Sequence, residues 1–76
     1  MHTLKKVSGK ECVKILCNKF GFRLLRQKGS HMILKKEVPE GTFGTVVPND
    51  KELKIGTLKG ILKLAKVKEE EFAEHQ

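Results

Sequence analysis

The sequence predicts an α+β fold of order αβββα, a three-stranded antiparallel sheet with two helices on one face. Three observations predict it. Apolar residues recur at helical spacing in two segments, residues 12–20 and 58–65. Between them lie three strand-like runs, and the connections joining those runs are too short for anything but antiparallel hairpins.

Ser8 followed three residues later by Glu11 is a capping box, and Cys12, Val13, Ile15, Leu16, Cys17 and Phe20 recur behind it. A first helix over 9–20 follows, with Gly21 as its left-handed stop. Phe22 to Lys28 reads as a strand, Gly29-Ser30 as a two-residue turn, and His31 to Lys36 as the second strand. A turn cluster at Val38-Pro39-Glu40-Gly41-Thr42 leads to a third strand, Phe43 to Val47, closed by Pro48. After a polar loop, Thr57 is expected to cap a second helix whose Leu58, Ile61, Leu62 and Ala65 share one face. Lys68 to Gln76 is acidic and reads as a short extra turn anchored by Phe72. The whole chain, 1–76, reads as one domain, with residues 1–6 and 73–76 as flexible ends.

A chain of 76 residues has a thin core and no room for a large enclosed cavity. Sixteen Lys and Arg against nine Asp and Glu leave a net charge of +7, which attracts polyanions, so nucleic acid is the first partner to consider. No apolar stretch is long enough to span or lie in a membrane. The opening residues lack a charged-then-apolar leader, so a cytoplasmic location is expected. Acidic residues pair with no His or Cys at a recognised ligand spacing, and neither a metal nor another cofactor is expected. Cys12 and Cys17 lie roughly 140° apart around the first helix and read as free thiols at the core margin.

The residues Lys28-Gly29-Ser30-His31 place an imidazole at the tip of a basic hairpin. RNA is cleaved without metal when its own 2′-hydroxyl attacks the adjacent phosphorus, which requires a base, an acid for the leaving oxygen, and positive charge around the phosphorane. Histidine suits proton transfer near neutral pH. A two-residue hairpin makes Lys28 and His31 cross-strand neighbours, and strand alternation puts Arg26 and Lys35 on the same face. Gly29 lets the backbone approach a phosphate, and the Ser30 hydroxyl can donate to a non-bridging oxygen. Lys28, Lys35 and water are all candidates for the leaving-group acid. Lys59, Lys63 and Lys66 recur on the second helix as a basic stripe able to follow a phosphate backbone. His2 and His75, near the chain ends, read as bystanders. The four Phe sit mainly at core-like positions and there is no Trp or Tyr, which leaves no evident platform for stacking bases.

The order αβββα is that of the double-stranded-RNA-binding-domain fold. Ser8-Gly9-Lys10-Glu11, Phe20-Gly21-Phe22, Arg26-Gln27-Lys28-Gly29-Ser30-His31, Val47-Pro48 and Gly56-Thr57-Leu58-Lys59-Gly60-Ile61-Leu62 stand in the order and spacing of HicA-type toxins, which the chain resembles from about Val7 to Phe72. The resemblance implies a small endoribonuclease, or mRNA interferase, of a toxin–antitoxin system, held inactive by a HicB-type antitoxin. Many members carry a further histidine just after the Val-Pro that ends the third strand, where this chain has Asn49-Asp50. The competing reading is a non-catalytic RNA-binding module of the same fold, in which His31 contacts a 2′-hydroxyl.

Overall fold

The computed structural model describes residues 3–76 and contains α1 (Gly9–Lys19), β1 (Arg23–Lys28), β2 (His31–Val38), β3 (Gly41–Pro48), α2 (Ile55–Ala65) and α3 (Glu69–Ala73). The three strands form one antiparallel sheet in sequence order. The fold is α+β, the αβββα arrangement with one short helix added.

Why α1 starts where it does is visible in its cap. The Ser8 hydroxyl accepts the Glu11 backbone N–H at 3.0 Å, satisfying one of the free donors of the first turn. At the other end Gly21 takes φ +76°, a left-handed conformation that costs a glycine little and lets the chain turn into β1. α1 buries Cys12, Ile15 and Leu16.

The core lies between the helices and one face of the sheet. Met32 pairs with Val47 and Leu34 with Thr45, so these four side chains share a face, and all four are buried. Leu58, Ile61 and Leu62 of α2 pack in the same cluster as Leu16 and Leu34. Thr45, a polar residue at 2% exposure, donates its hydroxyl to the Ile61 carbonyl at 2.9 Å, which ties β3 to α2 without an unpaired buried polar group.

Three expectations need correction. The second hairpin is tighter than its turn-rich sequence suggests: β2 runs on to Val38 and β3 begins at Gly41, leaving only Pro39-Glu40 between them. Pairing continues through residues that read as a turn, with Glu37 opposite Thr42 and Val38 opposite Gly41, because the ladder hydrogen bonds extend to the two-residue turn itself. The second helix begins at Ile55, not behind Thr57; Lys54 is its N-cap and offers no side-chain bond. Its entry is fixed instead by tertiary contact, since Leu53 is buried and its N–H donates to the Val7 carbonyl at 2.7 Å. β1 begins at Arg23, because Phe22 is drawn into the core and its N–H bonds the Leu16 carbonyl.

Phe72 is fully buried and stacks on Phe20 with ring centroids 6.3 Å apart, anchoring α3. His75 sits edge-on to the same Phe20 ring at 5.6 Å. The Gln76 side chain both accepts from the Lys5 N–H and donates to the Lys5 carbonyl, so the last residue is joined to the segment before α1.

Candidate functional site

The face of the sheet turned away from the helices is open, and its composition follows from the register. Lys28 lies opposite His31, which in turn lies opposite Pro48. One step along the face, Arg26 lies opposite Ile33 and Ile33 opposite Val46. The next row brings Arg23, Lys35 and Gly44 together. Same-face neighbours along a strand are roughly 7 Å apart, so Lys28 flanks the imidazole directly while Lys35 stands about 13 Å along the strand from His31. The alternation expected for Arg26, Lys28, His31 and Lys35 holds.

Arg23 on this face is a residue that sequence reasoning missed. A β-bulge between Leu24 and Arg26 gives β1 one extra residue against β2, and the shift brings Arg23 opposite Lys35. Two adjacent leucines conceal it, because Leu24 and Leu25 read as ordinary strand residues although both are about half exposed. Arg23 also bonds Glu37 at 2.7 Å, in an exposed ion pair that closes the cationic face at its far end. It is the only ion pair among the described residues, which leaves Arg26, Lys28 and Lys35 without a carboxylate partner there.

The hairpin that presents His31 is built for a close turn. Gly29 takes φ +61° with open space around its α-carbon, and its carbonyl accepts from the Gln27 side chain at 3.1 Å. Ser30 is exposed, and its carbonyl accepts the Asn49 N–H at 2.6 Å. The stretch just after Pro48 is therefore fastened to the hairpin tip beside His31. His31 itself is exposed.

Lys59 and Lys63 do not join this face. They line a groove between α2 and the segment Val67–Glu69, on the helical layer, with no strand residue among its walls. Lys66 falls outside the helix, at a left-handed cap with φ +59°, so the stripe on α2 itself has two lysines and not three. His2 lies outside the described residues. Of the two thiols, Cys12 is fully buried, and burial pushes it up to about 12. Cys17 is half-buried; burial raises it too, partly offset by the Leu24 backbone hydrogen bond to its sulfur. No described helix is long and apolar enough to cross a membrane.

An exposed imidazole beside an unpaired ammonium, with two more cations along one sheet face, offers a proton-transfer group next to charge that attracts phosphate. Neither a curated protein nor a solved structure matches the chain. A family model does: that of the HicA toxin of bacterial toxin-antitoxin matches residues 9–67. The match runs from the first residue of α1 to the one following the left-handed cap of α2, taking in the whole sheet and the hairpin that holds His31. The chain therefore belongs to the HicA toxin family, and it is the toxin of a toxin–antitoxin pair.

Proposed function

We propose that this toxin is a metal-independent endoribonuclease, an mRNA interferase acting in the cytoplasm. Neutral His31 takes the proton of a 2′-hydroxyl, whose oxygen attacks the adjacent phosphorus. The bond to the 5′-oxygen breaks, leaving a cyclic phosphate on one fragment and a hydroxyl on the other. Lys28, directly across the hairpin, stabilises the added charge on the phosphorane. Lys28 or water supplies the proton to the leaving oxygen; Lys35, about 13 Å along the strand from His31, is too far away to do so. The Gly29 backbone and the Ser30 hydroxyl hold non-bridging oxygens, and Arg26 and Lys35 bind phosphates further along the sheet face. Lys59, Lys63 and Lys66 meet a more distant stretch of the same backbone.

The observation that supports this reading best is the Lys28–His31 pair at the exposed end of an otherwise open cationic face. A HicB-type antitoxin neutralises the toxin by laying an acidic surface over this face, which makes association fast and salt-sensitive.

Induction of the wild-type and His31→Ala chains in a bacterial host, following growth and a reporter mRNA together, tests the reading. Growth arrest with mRNA decay that disappears in His31→Ala is expected. Intact mRNA with both chains folded and expressed points instead to a non-catalytic RNA-binding module. His31 is exposed at a turn, so the substitution leaves the core untouched.

A further inference from the structure

Beside the hairpin lies a cleft of about 390 Å³ lined by Ser8, Lys10, Asn49, Asp50 and Lys51. One wall is the stretch after β3, which the Asn49 N–H fastens to the Ser30 carbonyl. The opposite wall is the start of α1, bonded to the first through the Gly9 N–H and the Asp50 carbonyl at 2.8 Å. The walls also touch: a β-carbon on Gly9 would overlap the Pro48 carbonyl oxygen, so only glycine permits this approach. Both walls are thus held by backbone, and the cleft opens one residue past the Pro48 that pairs with His31.

The chemistry of the lining is mixed. Lys10 and Lys51 bring two ammonium groups, and neither has an ion-pair partner among the described residues, Asp50 included. Asp50 brings a carboxylate, an acceptor only; Asn49 brings an amide that both donates and accepts. The Ser8 oxygen already accepts from Glu11, but its hydroxyl proton is available. A bare phosphate site would be spoiled by the carboxylate. A nucleotide uses all of it: phosphate on the lysines, base amine on the carboxylate.

We propose that this cleft is a nucleotide subsite for single-stranded RNA flanking the scissile phosphate, with Lys10 and Lys51 on the phosphate and Asp50 reading the base. Uracil alone among the four RNA bases has no exocyclic amine, and its one donor, N3–H, lies between two carbonyl oxygens that repel a carboxylate, so Asp50 discriminates against uridine here. The inference takes its place beside the reacting phosphate from the ribonuclease reading, and its test is a binding test that needs no cleavage.

Binding of short oligo(C) and oligo(U) is measured in the His31→Ala chain across a range of salt. Oligo(C) is expected to bind about tenfold more tightly than oligo(U), and Asp50→Ala to remove that difference. Lys10→Ala with Lys51→Ala is expected to flatten the plot of log K against log salt by about 0.7, the value for the one phosphate of a single strand that the protein ceases to neutralise. Lys19→Ala with Lys54→Ala, equal in charge, exposed and outside the cleft, is the control. Equal binding of the two oligomers, a preference that survives Asp50→Ala, or a control pair that flattens the slope as much as the cleft pair overturns the proposal. Failure of the ribonuclease reading appears separately, as RNA left intact by the wild-type chain.

Discussion

The Asn49 backbone N–H donates to the Ser30 carbonyl at 2.6 Å, which sets the first residue after β3 against the turn that presents His31. Relatives with a histidine at that point in the sequence would hold a second imidazole next to the first. The backbone bond fixes the place, and the side chain at position 49 decides whether one proton-transfer group or two stand at the hairpin tip.

Asn49→His should therefore raise the rate of RNA cleavage, by up to about a hundredfold, the lower end of what a placed general acid or base contributes. Position 49 is exposed, so stability should stay within about 0.5 kcal/mol of the parent. Single-turnover cleavage against pH checks it: the profile should become bell-shaped. An unchanged rate and profile would mean that the side chain at 49 does not reach the reacting phosphate.

Gly9→Ala separates packing from helix propensity. In an isolated helix alanine would be favoured over glycine by about 1 kcal/mol. Here the new methyl meets the Pro48 carbonyl oxygen and backbone, which cannot swing aside as a side chain would. The expected result is a loss of roughly 1–3 kcal/mol in urea unfolding, with α1 pushed away from the loop after β3. A gain in stability would show that the two segments do not touch in solution.

What was legible in the sequence had local causes. Ser8 with Glu11, the glycine after Phe20 and the Gly29-Ser30 turn each act within a few residues, and each stands where it was read. The face shared by Lys28, His31, Arg26 and Lys35 was legible because strand alternation is a local rule. Residues positioned by distant partners were not legible. The entry of α2 depends on Leu53 bonding Val7, 46 residues away, and no capping side chain marks it. Arg23 joined the open face only through a bulge that two leucines disguise. The cleft at Lys10 and Lys51 needed the contact between Gly9 and Pro48, which no spacing in the sequence signals.

Lys66→Gly tests the end of the lysine stripe. Lys66 is the one described residue other than glycine with positive φ, at +59°, a conformation that costs an L-residue roughly 1–2 kcal/mol and glycine little. The substitution should raise thermal stability by about 1 kcal/mol while making RNA binding less salt-dependent, by about 0.7 in log–log slope if the ammonium meets a phosphate. Higher stability with an unaltered slope would remove Lys66 from the RNA contacts and leave Lys59 and Lys63.

Cys12 makes the fold sensitive to alkali. Its thiol lies fully buried against the core and is pushed from the ordinary 9.0 up to about 12 by loss of solvation. The folded state therefore holds this proton more tightly than the unfolded state. Its contribution is fully present below about pH 9 and is lost as pH rises toward 12, where the unfolded chain has released the proton and the folded chain has yet to. Three pH units correspond to about 4 kcal/mol at most. Urea midpoints should fall more steeply between pH ~9 and ~11 for the wild-type chain than for Cys12→Ala, which starts less stable because the core loses a sulfur. Lysine deprotonation acts on both chains alike and cancels in the comparison. Parallel curves for the two would mean that the thiol meets water in the folded state.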